Sequence, residues 1–286
     1  MISGFPDERS RQRYLAVYDS LLDWPQPAEE LTIETTYGST NVRRSGSRTG
    51  VPLVLLHGVT ATSLSFQAHA AALGERHPVY AVDSLGEPGR SVQTAPLPDA
   101  ESIADWLDQV LAALGCERVH LAGVSRGGWL ALNQAIRRPR RLSGVTAVDP
   151  GGLADIGFKQ HLWLLTGFGL MLMPAAVRRR FAKTSFSAFL DDTIRRITLA
   201  QLPHRTRAFM FDTLTDEQWR SLDVPVDLVL GGRSVLYDAE RQARRIAPLS
   251  SKVRVEVVPG VAHGIELMDL VTDRAPRSAS GAPEAG

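Results

Sequence analysis

The 286-residue chain carries a single cysteine, Cys116. An internal disulfide is therefore excluded, and so is a metal site built from several cysteines. Cys116 stands just before an apolar run and reads as a small buried hydrophobe. An excess of charge of either sign is missing too. Lys and Arg total 32 against 31 Asp and Glu, a formal net charge of +1, which gives no electrostatic case for nucleic acid or an anionic membrane. No run is long and apolar enough to span a bilayer. The nearest, LWLLTGFGLMLMPAAV at residues 162–177, falls short of the roughly 20 residues required and is interrupted by Pro174. It is expected to be a buried or pocket-lining helix. The opening MISGFPDERSRQRYL lacks the apolar core of a signal peptide, so a cytoplasmic location is expected. No His, Asp or Glu cluster shows metal-ligand spacing, and neither a metal nor another cofactor is expected.

What the chain does have is alternation of strand-like and helix-like segments. Residues 10–22 read as a helix, followed by a Pro-punctuated link and a hairpin over 31–44 with Gly38 in its turn. VPLVLLHG (51–58) is a continuous apolar run of strand length, as expected of a parallel strand buried on both faces. Strand patterns recur at 78–84, 118–125, 142–149, in VPVDLVLGG and in VRVEVVPG, with helical patterns at 102–114, 127–136 and 238–247. Repeated strand–helix units of this length call for a mostly parallel sheet with helices on both faces. Between residues 151 and 222 no strand pattern occurs, only helix-like, apolar-rich sequence. An insertion of that size after the sixth strand would form a helical cap over the sheet edge where ligands bind in open α/β folds. The expected organisation is an α/β core over 1–150 and 223–273 with an N-terminal helical extension (1–30), a cap over 151–222 and a disordered tail over 274–286.

Gly123-Val124-Ser125-Arg126-Gly127 fits G-x-S-x-G between a strand and a helix, the context that a nucleophile elbow requires. The turn is too tight for bulk two residues before or after the serine, and both places hold glycine. The serine oxygen then stands at a helix N-terminus, where developing negative charge is favoured.

The ordered set HGV (57–59), DSLGEPGRS (83–91), GVSRGG (123–128) and VPGVAHG (258–264) resembles the α/β-hydrolase fold family. Within it the chain is similar to bacterial carboxylesterase-like serine hydrolases with an N-terminal helical extension. The resemblance covers about residues 30–270. It implies an eight-stranded, mostly parallel sheet with a cap after the sixth strand. It also implies that His57 and Gly58 shape an oxyanion loop, that the backbone N–H groups of Val59 and Arg126 are the oxyanion donors, and that His263 is the base. A neutral imidazole there can take the Ser125 proton and return it to the leaving group.

The acid departs from the family's pattern. The position after the seventh strand, in GGRSVLYD, holds Ser234, which cannot compensate an imidazolium charge. Asp149, which closes the sixth strand 24 residues after Ser125, and Asp238, at the start of a helix, are both candidates, and a site without an acid is the third option. Arg126 is unusual beside a nucleophile. Its side chain is expected to project toward the pocket mouth or the cap, either in a surface salt bridge or docking a substrate carboxylate or phosphate.

The function expected is a serine hydrolase of an ester, thioester or lactone, acting through an acyl-enzyme on Ser125. Trp163, Phe168 and Met171, with Met173, would give the pocket its apolar wall. The partner is then a small-molecule substrate with an apolar acyl part, free or carrier-bound. Two alternatives stand beside this reading. One is the same fold running a non-hydrolytic reaction (cyclisation, acyl transfer, C–C cleavage or lyase chemistry), and the other is a ligand-binding protein that has lost turnover.

Overall fold

The computed structural model describes residues 1–155, 157–181 and 192–263; the tail expected over 274–286 lies outside them. In chain order the elements are α1 (Glu8–Leu21), β1 (Ala28–Thr35), β2 (Gly38–Gly46), β3 (Leu53–Leu56), α2 (Gln67–Gly74), β4 (Pro78–Val82), β5 (Val92–Gln93), α3 (Ala100–Ala113), β6 (Val119–Val124), α4 (Arg126–Arg137) and β7 (Leu142–Val148). They continue with α5 (Phe158–Met171), α6 (Ala175–Arg178), α7 (Asp192–Ala200), α8 (Asp216–Arg220), β8 (Val226–Arg233), α9 (Ala239–Ile246) and β9 (Val253–Ala262). Eight strands run in the order β1-β2-β4-β3-β6-β7-β8-β9, and the two-residue β5 pairs with β2 at one side. The β1–β2, β2–β4 and β2–β5 pairings are antiparallel, and every pairing from β4–β3 through β8–β9 is parallel. This is the mostly parallel, helix-flanked sheet that the alternating pattern implies. The strands counted fifth to eighth in the sequence become β6 to β9 because β5 is too short to leave a pattern.

Why these runs are strands is visible in their burial. All residues of β3, β4 and β6 are buried, and successive side chains feed opposite layers. Val54, Leu56, Val82 and Leu121 pack on the side of Trp106 from α3 and Trp129 from α4. Leu53, Leu55, Ala81, Ala122 and Val124 pack on the other, with Phe66 and Leu73 of the α2 region. Every strand of this central group thus buries two faces, which is why it carries no polar alternation.

The N-terminal extension ties the core to the helical region beyond β7. Tyr14 and Tyr18 of α1 are fully buried with Leu64 and with Ile197 of α7. Tyr18 Oη donates to Asp83 Oδ2 at 3.1 Å. Asp83 also accepts the backbone N–H groups of Ser63 at 2.8 Å and Arg90 at 2.9 Å. The DSLGEPGRS loop is thus organised by a buried carboxylate. Gly86 in that loop has φ 85°, a backbone state that favours glycine.

Residues 151–222 contain α5 to α8 and, among the described residues, no strand beyond an isolated bridge between Gly4 and Arg205. Of the two expectations for the apolar run over 162–177, a buried or a pocket-lining helix, burial holds only in part. Gly167, Leu170 and Met171 face inward, but Phe158 and Leu165 are 80% and 70% exposed, with Leu162 and Leu172 exposed beside them. The run is apolar on more sides than one helix packed on the core can bury. Cys116 is half-buried rather than buried, with its Sγ 3.8 Å from Tyr80 Oη.

Candidate active site

The loops after β3 and β7 meet the turn that carries Ser125, and the loop after β9 joins them through Asp149. Ser125 has φ 56° and ψ −117°, a strained state for a non-glycine residue. Its neighbours impose that state. Ser125 N–H donates to Val148 O at 3.0 Å, while Ser125 O accepts from Trp129 N at 3.1 Å and Gly151 N at 3.1 Å. The elbow is thereby stitched to its own helix and to the loop after β7. The flanking glycines are required by contact. A Cβ on Gly123 would lie 2.2 Å from Gly127 O, and one on Gly127 would lie 1.9 Å from Leu56 O.

The loop after β3 approaches from the second side. A Cβ on Gly58 would stand 3.3 Å from Ser125 Cβ, so a side chain there would crowd the serine. His57 is buried and fixes this loop by both ring nitrogens. Ser84 N–H donates to Nε2 at 3.0 Å, so the ring hydrogen sits on Nδ1, which donates to Gly58 O at 2.8 Å. The N–H groups of Val59, which is part-exposed, and Arg126, the first residue of α4, donate to no acceptor among the described residues.

The third loop carries His263, just past β9. Its Nδ1 lies 2.6 Å from Asp149 Oδ2. Asp149 is fully buried, sits at φ 41°, and donates its own N–H to Val229 O at 2.7 Å. Burial alone would push its carboxyl up. The hydrogen bond and charge of His263, with the hydroxyls of Ser234 and Tyr237, outweigh burial and hold it below the ordinary carboxylate range. Ser234 is therefore part of this arrangement as a donor to Asp149, at 2.8 Å. Asp238 is occupied elsewhere: it N-caps α9, accepting Arg241 N–H at 2.9 Å.

Two groups escaped the sequence reading. Tyr237, buried and donating to Asp149 Oδ1 at 2.9 Å, leaves no pattern in sequence, because a loop tyrosine carries no periodicity. Glu87 is the partner of Arg126. The two form an ion pair at 2.8 Å with side chains only 2% and 3% exposed, and Arg126 Nη2 donates to Phe209 O at 3.1 Å. The expected surface salt bridge is corrected, because the pair with Glu87 is buried. The contact with Phe209 takes the side chain toward the 151–222 segment, one of its two expected directions. A lone glutamate in an otherwise Gly- and Pro-rich loop, together with an odd arginine after the nucleophile, was the available signal.

Of the residues expected to line the pocket, Trp163 presents its ring edge-on to His263 with centroids 6.4 Å apart. Phe168 is half-buried, Met171 is buried and Met173 is exposed. No group of three or more potential metal ligands occurs among the described residues, and none of their helices is long and apolar enough to cross a membrane.

Comparison with known proteins places these features in context. The model of the alpha/beta hydrolase family matches residues 53–275. Carboxylesterase YbfK of Bacillus subtilis is 27% identical over 275 residues, covering 92% of this chain and 91% of its own length. A second B. subtilis protein, described as an uncharacterized carboxylesterase nap, is 28% identical over 89% of this chain and 87% of its own. The crystal structure of naproxen esterase from B. subtilis superposes with a TM-score of 0.80 at 26% identity, covering 94% of this chain and 97% of that one.

Proposed function

The chain belongs to the alpha/beta hydrolase family, and from that premise we propose that it hydrolyses carboxylic esters of small molecules through an acyl-enzyme on Ser125. The observation that carries the assignment is the 2.6 Å contact between Asp149 and His263 beside a strained serine elbow. A serine hydroxyl is a weak nucleophile until a neighbouring base removes its proton. His263 takes that proton on Nε2, because Nδ1–H is committed to Asp149. Ser125 Oγ bonds to the ester carbonyl carbon, and the carbonyl oxygen becomes an oxyanion facing the N–H groups of Val59 and Arg126. Such donors are typically worth about 3 kcal/mol each.

Collapse of the intermediate breaks the bond to the alcohol oxygen, which leaves with the proton from His263. Water then attacks the acyl-enzyme, giving its proton to His263, and the carboxylic acid departs as Ser125 regains its hydrogen. Asp149 stays ionised throughout and stabilises the imidazolium. Trp163, against His263, with Phe168 and Met171, favours an apolar acyl part. Thioesters and lactones fit the same chemistry, since both present an acyl carbon with a leaving heteroatom. A carboxylate 2.6 Å from His263 gives the imidazolium a counter-charge, which supports hydrolysis over the non-hydrolytic alternative.

The test is hydrolysis of p-nitrophenyl acetate, butyrate and octanoate by the full chain and by Ser125→Ala. Turnover by the wild type that is lost in the variant, with an unchanged circular dichroism spectrum, is expected. Equal rates for the two proteins would overturn the assignment.

A further inference from the structure

We infer that Ser234 and Tyr237 are positioning residues of this site, whose hydroxyls set the orientation and charge of the Asp149 carboxylate and, through it, the His263 ring. The inference rests on the reading of Asp149 as the acid. A carboxylate has two oxygens and about four lone-pair sites, and here all four are taken. Oδ1 accepts Tyr237 Oη at 2.9 Å and Gly231 N–H at 3.2 Å. Oδ2 accepts Ser234 Oγ at 2.8 Å and His263 Nδ1 at 2.6 Å. The residue is fully buried, so water does not substitute for any of them. Turning the carboxylate about its Cβ–Cγ bond would break the bonds to both hydroxyls and to His263 together.

The hydroxyls are themselves held as donors. Ser234 Oγ accepts Leu236 N–H at 3.3 Å, which leaves its own hydrogen for Asp149. Ser234 N–H is tied to Gly231 O at 2.9 Å, so the whole turn after β8 is fixed around the carboxylate. Tyr237 keeps its hydrogen over any working pH, because burial and then the Asp149 charge push its phenol far up. The titratable groups that meet Asp149 are His263, after β9, and Tyr237, after β8. No other charged side chain among the described residues lies within hydrogen-bond or ion-pair distance of it.

A merely structural role would affect folding and leave catalysis alone, whereas a positioning role makes a specific kinetic prediction. Each hydroxyl draws electron density from the carboxylate. Its removal leaves a more concentrated negative charge facing His263, so the imidazolium is harder to deprotonate and the ring is less well aimed. The test compares Tyr237→Phe, Ser234→Ala and Ser234→Thr in the full chain, using p-nitrophenyl butyrate, pH profiles of kcat/KM and thermal melts. Tyr237→Phe and Ser234→Ala are each expected to lower kcat about tenfold, as for loss of a hydrogen bond to a charged group. KM should stay within about twofold, and the acid limb should move up by about half a pH unit. Ser234→Thr, which keeps the hydroxyl, should stay near the wild type. Unchanged kcat and acid limb in both hydroxyl-deleted variants, with only the melting temperature altered, would overturn the inference. Asp149→Asn is measured beside them. If it is silent, the acid assignment fails as well; if it is damaging while the hydroxyl variants are silent, the positioning role alone fails.

Discussion

Glu87 and Arg126 lie 2.8 Å apart in a buried ion pair that joins the loop after β4 to the first turn of the helix behind Ser125. Burial weakens the guanidinium's hold on its proton, and the charge of Glu87 opposes that loss. Removing one member of such a pair strands the other charge, at a typical cost of about 3–5 kcal/mol, whereas replacing both with apolar groups is often close to neutral. Glu87→Gln should therefore lower the free energy of urea unfolding by about 3 kcal/mol or more, and Glu87→Met with Arg126→Met should recover most of it. A Glu87→Gln protein as stable as the wild type would show that the pair contributes nothing.

Asp149 and Asp238 make opposite predictions. Asp149→Asn should reduce kcat by a factor on the order of 10²–10⁴, by analogy with triads in which the equivalent change selects the wrong imidazole tautomer. Asp238→Asn should keep kcat and cost about 1 kcal/mol of stability or less through a weaker cap on α9. Ser234 Oγ is 2.8 Å from the Asp149 oxygen that meets His263, so Ser234→Asp in the Asp149→Asn background should return part of the rate. Steady-state kinetics of the three proteins decide this. The reverse ranking of the two aspartates would remove Asp149 from the site.

The alternation of uniform apolar strands with helical segments made the sheet and its flanking helices legible, because strands buried on both faces leave unbroken apolar runs such as VPLVLL. The elbow was legible for a steric reason: only glycine fits at 123 and 127, and sequence records that directly. Sequence leaves the acid open among Asp149, Asp238 and none. Choosing between two carboxylates depends on which strand end faces His263, and that is a long-range contact across 114 positions. Tyr237 is hidden as a partner for the same reason, whereas Glu87 and Arg126 each stand out as unusual in their own loops without showing that they meet. How much of α5 is exposed is not legible, because composition gives the apolarity of a helix but not the area available to cover it.

His120 supplies a prediction about pH and stability. It lies in β6 with Nε2 2.9 Å from Thr146 Oγ1, and burial, with a smaller effect from His77, lowers its pKa to about 4. The unfolded chain binds this proton near the ordinary value of about 6.5, so stability is full above that pH. It is lost as pH falls from about 6.5 towards 4, since only the unfolded state gains the proton in that window. Between pH 7 and pH 5 the loss from this residue should be about 2 kcal/mol. His120→Gln should flatten the stability curve over that range by a similar amount. An unchanged slope between pH 7 and pH 5 would show that His120 is not the group responsible.

The central claim is that Ser125 is the nucleophile of an acyl-transferring site, and a fluorophosphonate adduct tests it most directly. Stoichiometric phosphonylation should appear in the intact mass of the wild type, with peptide mapping placing the added mass on Ser125. It should be absent from Ser125→Ala and slowed strongly in Asp149→Asn. An adduct of the same stoichiometry on Ser125→Ala, or mapping of the mass to another residue, would contradict the account.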